Sequence, residues 1–218
     1  MNYILFDGTV RNSLLPFTFT RPVADIRIGI FTIREKWENY LKSTTTTITE
    51  EYLSEKYPMV EMEENILINA SFLPNMELVA IVTELSENQA IFYDEEVIAF
   101  YSKDTQEEVD FSTYEAIEYQ GEILRIENTW DIFSKNAEAL QADFDFITED
   151  RKSQPISKTN TVINADNIFL EEGAKVECSI LNATDGPIYI GANAEVMEGC
   201  MIRGGFALCE KSIVKMGA

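Results

Sequence analysis

Aliphatic residues recur every six positions towards the C-terminus. Ile190, Val196, Ile202, Leu208 and Val214 head the units IGANAE, VMEGCM, IRGGFA, LCEKSI and VKMGA. A helix with about 3.6 residues per turn cannot hold that stripe on one side, and an alternating strand would not skip so regularly. Short strands turning corners around a β-helix do, each aliphatic residue filling the interior at its corner. The same phase appears at Leu170 and Val176 and slips across residues 182–187 (NATDGP), which reads as a loop inserted between coils. The competing reading is a run of ordinary strands.

Upstream the pattern is that of an α/β domain. Residues 2–6 (NYILF) read as a short buried strand ending in the turn signal Asp7-Gly8-Thr9. Ile30, Ile33, Trp37 and Leu41 share a helical face, Thr46–Thr49 suggests a strand, and EEYLSEKY a second helix. ENILINAS predicts a second buried strand through Ile66, Leu67 and Ile68, ending at Asn69-Ala70-Ser71. A short helix is expected after Pro74, then a strand pair turning at Asp94-Glu95, an acidic loop over 106–113, and a hairpin turning at Gln120-Gly121. NTWDIFSKNAEALQADFDFI predicts a closing helix with Trp130, Ile132, Phe133 and Leu140 in the core, and residues 149–158 a polar linker. Two domains result, 1–157 and 158–218. The hexads stop at Ala218 in mid-unit without a polar cap, which reads as a fragment of a longer protein or an end covered by another chain.

Composition narrows the function. The chain is 45% hydrophobic and 25% charged, so a sizeable core is available. A net charge of −21 argues against nucleic acid or an anionic membrane as partner, since both need a basic face. No signal pattern opens the chain and no apolar run nears the roughly 18 residues that span a bilayer, so the cytoplasm is the expected location. Cys178, Cys200 and Cys209 lack ligand-like spacing, and with no histidine a Cys/His zinc site is excluded.

Against this acidity, Arg11, Arg21, Arg27 and Arg34 lie between residues 8 and 34 with Asp25 as the only acid. A flexible, arginine-bearing loop directly after the first strand of an α/β sheet is where a phosphate would be held. The other reading is a surface loop whose arginines pair with the surrounding acids.

The segment PFTFTRPVADIRIG resembles the P-L-T-x-x-x-P-K segment of the sugar-1-phosphate nucleotidyltransferases, with Pro16, Thr18 and Pro22 matching. GPIYIGANAEVMEG resembles the β-helix entry of the bifunctional N-acetylglucosamine-1-phosphate uridyltransferases, and TWDIFSKN the W-D motif by which divergent members cross from one domain to the other; the chain as a whole is also similar to the glucose-1-phosphate thymidylyltransferases. The resemblance implies an α/β, Rossmann-like nucleotidyltransferase domain followed by the first coils of a left-handed parallel β-helix, assembling as a trimer. The implied substrates are a nucleoside triphosphate and a sugar 1-phosphate, joined into a nucleotide sugar with release of pyrophosphate, with magnesium as cofactor. Gly8, Thr9, Arg11 and Arg27 would hold the nucleotide, Arg11 and Arg21 would act in catalysis, and Asn69 and Ser71 would bind the sugar. Val23 stands where the family has its lysine, leaving that charge to Arg21 or Arg27. Asn69-Ala70-Ser71 stands where the family's Gly-Asp holds magnesium, so Asp7 is the one carboxylate near the loop for the metal, with turn stabilisation as its other reading. The resemblance also allows a domain that binds a nucleotide sugar without turnover, as a regulatory or scaffolding module. A β-helix acyltransferase would need a base beyond Ala218, since the family's histidine is missing.

Overall fold

The computed structural model describes residues 1–103 and 109–218. Two compact units emerge: residues 1–27 with 31–133, and residues 28–30 with 134–218. This division differs from the expected boundary after residue 157, because the closing helix belongs to the second unit.

The first unit is built on a sheet. Strand β1 (Asn2–Phe6) is followed by two short strands, β2 (Arg27–Ile28) and β3 (Phe31–Thr32), and by β4 (Thr45–Ile48), β5 (Asn65–Asn69), β6 (Gln89–Tyr93), β7 (Glu96–Ser102) and β8 (Glu115–Glu118). The large sheet has the order β4-β1-β5-β7-β6-β8. Its strands run parallel except β7, which is antiparallel to both β5 and β6. β1 and β5 read as unbroken apolar runs because both faces of the sheet are covered. Ile4 and Leu67 pack with Phe100 on one face, while Leu5, Ile66 and Ile68, of the opposite parity, are fully buried on the other. The chain passes from β1 to β4 on one side and then returns to β5 on the other. A crevice opens at such a reversal, outside the carboxyl ends of the strands.

Three expectations in this unit change. Helix α1 (Ile33–Leu41) starts three residues later than the Ile30 pattern suggested. Thr32 and Glu35 form a capping box there, Thr32 Oγ1 accepting from the Glu35 N–H at 3.2 Å and Glu35 accepting from the Thr32 N–H at 2.7 Å. The second helix, α2 (Glu51–Ser54), is a single turn, and α3 (Met76–Thr83) follows Pro74 as expected. β6 and β7 turn at Asp94-Glu95, both with positive φ, as a tight hairpin requires. The hairpin at Gln120-Gly121 does not form. β8 instead pairs in parallel with β6, and the following residues return to the strand end after β5, where the Leu73 N–H donates to Leu124 and the Ile126 N–H to Ser71, each at 2.9 Å. Residues 106–108 of the acidic loop lie outside the described residues; Phe111–Thr113 form a 3-10 turn.

The expected closing helix is two helices, α4 (Asp131–Ser134) and α5 (Asn136–Thr148). Leu140 is buried, but Trp130 is 58% exposed and Phe133 75%, so neither is a core residue. In the second unit α5 holds residues 29 and 30: Asn136 Oδ1 accepts from the Gly29 N–H and the buried Asp143 from the Ile30 N–H, both at 2.8 Å.

The hexads fold as short strands: β9 (Thr161–Ile163), β10 (Ile168–Leu170), β11 (Lys175–Val176), β12 (Ile180–Asn182), β13 (Ile188–Ile190), β14 (Glu195–Val196), β15 (Met201–Arg203), β16 (Phe206–Leu208) and β17 (Ile213–Val214). They form three three-stranded parallel sheets, β10-β13-β16, β11-β14-β17 and β15-β12-β9, an arrangement that fits a β-helix. Successive hexad residues fall on successive sheets, and Ile190, Val196 and Ile202 are buried with Leu208 and Val214 packed against the same core. Ile188 pairs with Phe206 eighteen residues on, three hexads, whereas Ile168 pairs with Ile188 twenty residues on. From Leu181 to Ile190 is nine residues where from Ile202 to Leu208 is six, which is the slip read across NATDGP; the step from Val176 to Leu181 is one residue short. The stretch read as a linker closes the start of the coils. The Gln154 N–H donates to Leu170 and its side chain to Ala174, both at 2.8 Å, while the Gly173 N–H donates to its Oε1 at 2.9 Å.

Candidate functional site

The end of β1 is fastened by one carboxylate. Asp7 Oδ1 accepts from the Val23 N–H at 2.7 Å and Oδ2 from the Thr49 hydroxyl at 2.6 Å. Asp7 thereby ties the Pro22–Val23 segment and the residue after β4 to the carboxyl end of β1. Its role is a long-range tether rather than a turn within its own loop. Burial pushes its carboxyl above the usual carboxylate range, against the opposing pull of Thr49, the Val23 N–H and Arg11.

The segment between β1 and β2 is wound into three 3-10 turns, Thr9–Leu14, Phe17–Phe19 and Val23–Asp25, where a flexible loop was expected. Arg11 is buried in it. Its Nη2 donates to the Thr18 carbonyl and to the Tyr52 hydroxyl, each at 2.7 Å, and the Thr18 hydroxyl donates in return to the Arg11 carbonyl at 2.8 Å. Its Nε lies 3.2 Å from Asp7 Oδ2 without an aligned hydrogen bond, and Nη1 lies 3.7 Å from Glu50. A cavity of about 400 Å³ opens here, lined by residues 6–8, Arg11 and residues 48–51.

The four arginines do not converge on it; Arg11 alone lines this cavity. Arg34 donates to Asp25 at 2.7 Å and to Thr45, and Arg27 lies 3.4 Å from Glu35. Both pairs match the reading in which loop arginines satisfy neighbouring acids. Arg21 is exposed and makes no ion pair or hydrogen bond among the described residues. It adjoins the Pro22–Val23 segment that Asp7 fastens to β1.

On the other side of β1, Asn69 ends β5 and is buried. Its Oδ1 accepts from the Ser71 N–H at 3.0 Å and the Ser71 hydroxyl at 2.9 Å. Its Nδ2 donates to the Val97 carbonyl at 3.2 Å and reaches Glu96 at 3.4 Å. Gly8, with φ 62° and ψ −170°, is in a conformation essentially reserved for glycine. A Cβ there would stand 2.8 Å from Asn69 Oδ1, so the absent side chain is what lets the loop cross the strand end. Thr9 follows, its hydroxyl 3.4 Å from Glu96.

Beside the expected Gly8, Thr9, Arg11 and Asn69 the structure places Tyr52, Thr49, Glu96 and Arg125, which the sequence did not single out because they come from segments 40 or more residues beyond the loop and carry no local signal. Among the described residues no group of three His, Cys, Asp or Glu side chains is placed to hold a metal. Asp7 does not fit magnesium: both oxygens already accept from N–H and O–H donors, and a guanidinium stands beside them, where a hard cation needs oxygen ligands free to turn towards it. No described helix is long and apolar enough to cross a membrane.

Residues 3–152 match the model of a protein family described as sugar nucleotidyl transferase. No curated protein matches the chain.

Proposed function

Since the chain belongs to the sugar nucleotidyl transferase family, we propose that its first unit joins a nucleoside triphosphate to a sugar 1-phosphate over the carboxyl edge of the sheet. An oxygen of the sugar phosphate attacks the α-phosphorus; the new P–O bond forms as the bond to the β-phosphate bridge breaks, and pyrophosphate leaves. Such a reaction is governed by positioning and charge neutralisation rather than by covalent catalysis. The observation that carries the reading is Gly8, held in a glycine-only conformation against Asn69 at the point where the sheet's connections reverse.

The roles follow from availability. The first amides of the Thr9–Leu14 turn have no acceptor within the turn, and no side chain caps them, so they are the donors we assign to the triphosphate. Arg11 is compensated by Asp7, so it shapes the cavity and adds little net charge. Arg21 has no ion pair or hydrogen bond among the described residues and is the guanidinium we assign to the polyphosphate, as a bidentate clamp in place of the family's lysine. Asn69 and Ser71 are buried and bonded to each other through Asn69 Oδ1, so of the two only the Asn69 amide N–H, now shared between Val97 and Glu96, is placed to turn to a sugar phosphate. Titration of nucleoside triphosphates tests the assignment. Arg21→Ala should lose affinity while Arg34→Ala does not, and equal affinities in wild type and Arg21→Ala overturn it.

A second reading has its own support. Asp7 is fully engaged and an amide, Asn69, ends β5, so the module also suits binding a nucleotide sugar without turnover. Nucleotide affinity with no pyrophosphate from any sugar phosphate selects this reading. For the second unit we propose left-handed coils that hold three copies together, which sedimentation of the intact chain would test.

A further inference from the structure

Three hydrogen-bond donors from three separate segments converge on the side chain of Glu96. Arg125 Nη2 pairs with Glu96 Oε2, while the Thr9 hydroxyl and Asn69 Nδ2 each reach Oε1 at 3.4 Å. Arg125 is fixed in this position. Its guanidinium lies 4.8 Å above the Phe72 ring, Nη1 is 3.4 Å from Glu127, and the backbone on either side of it is bonded to residues 71 and 73.

A guanidinium, a hydroxyl and an amide gathered around one point are the donor set that holds a phosphate. The carboxylate now at that point satisfies them unevenly. It pairs closely with the arginine, but its other oxygen meets both remaining donors only near the outer limit for a hydrogen bond. A phosphate monoester offers three acceptor oxygens and reaches all three donors. We propose that Thr9, Asn69 and Arg125 form a phosphate-monoester site separate from the Arg11 cavity, and that Glu96 is its internal occupant, displaced when the ligand enters. Anion binding here stands on the geometry alone; its identity as the seat of the sugar 1-phosphate rests on the transferase reading.

The balance of charge gives the test. With Glu96 in place, an arriving phosphate must separate an existing ion pair and meets a like charge, so affinity in the wild type is held down. Calorimetric titration of the full chain with inorganic phosphate should show Glu96→Gln binding about tenfold tighter than wild type, the scale of one charge-assisted hydrogen bond. Adding Arg125→Gln to that variant should abolish the gain. Thr9→Val in the wild type, which removes only an exposed hydroxyl, should weaken phosphate severalfold and keeps the test open if Glu96→Gln fails to fold. A Glu96→Gln protein that binds phosphate no tighter than wild type, or a Thr9→Val protein that binds it equally well, overturns the proposal. Nucleoside triphosphate titrated into the same proteins separates the two readings. Phosphate behaving as stated with no nucleotide affinity sinks the transferase reading and leaves this site standing.

Discussion

Gly8 and Asn69 meet at the carboxyl edge of the sheet with no room for a side chain between them: a Cβ on Gly8 would lie 2.8 Å from Asn69 Oδ1. Gly8→Ala meets this contact and the strain of φ 62° together. A cost of about 1–3 kcal/mol in stability is expected from the backbone alone. Nucleotide affinity should fall with it, because the loop must lift away from β5. Urea unfolding and nucleotide titration of the variant check this; wild-type values in both would show that the close approach is dispensable.

Asp7 gives a pH signature. Its carboxyl is raised by burial above the 3.8 it has when unfolded. Between those two values the folded chain holds the proton and the unfolded chain does not, so stability falls as pH rises through the window, and the full penalty persists above it. Asp7→Asn keeps the acceptor for Val23 and removes the titration. The melting temperature of Asp7→Asn relative to wild type should therefore climb as pH rises above about 4 and then level off once Asp7 is ionised in the folded chain. A difference that is flat or shrinks with pH contradicts the assignment. Because the Asp7 oxygens are already engaged, any magnesium requirement of turnover should also survive this substitution.

The two adjacent residues Met201 and Ile202 test the coil. Ile202 is buried in the coil interior, whereas Met201 beside it is 74% exposed. Ile202→Ala should cost about 2–5 kcal/mol, the range for deleting a buried aliphatic side chain. Met201→Ala should stay within about 0.5 kcal/mol. Equal effects in denaturant unfolding would mean that the hexad positions do not define the interior.

What could be read from the sequence was what is written locally. β1 and β5 show as unbroken apolar runs, and the six-residue ladder shows the short parallel strands of the second unit, because each inward position is fixed by its own neighbours. The Gln120-Gly121 hairpin failed for the opposite reason: β8 finds its partner in β6, and the residues after it pair with residues 71 and 73. Trp130 and Phe133 sit in a helical pattern but on an exposed turn. The arginine cluster was visible, but not that Asp25, Glu35 and Asp7 would claim three of its members. Glu96 and Arg125 escaped notice because only the fold brings them to the loop.

The unequal commitment of the arginines predicts unequal effects. Arg21→Ala should weaken nucleoside triphosphate binding by about 1.5–3 kcal/mol, the range for a charge-assisted hydrogen bond, without altering the melting temperature. Arg34→Ala breaks the bonds to Asp25 and Thr45 and should lower stability while leaving affinity in place. The reverse pattern, read by calorimetry and thermal unfolding, would move the phosphate contact away from Arg21.

The most direct measurement follows phosphorus NMR of the intact chain incubated with nucleoside triphosphates and a panel of sugar 1-phosphates. Pyrophosphate and a nucleotide sugar should appear together in equal amounts for at least one pair, and Arg21→Ala should slow their appearance. Nucleotide that binds yet yields neither product with any sugar phosphate contradicts transfer and leaves a binding module.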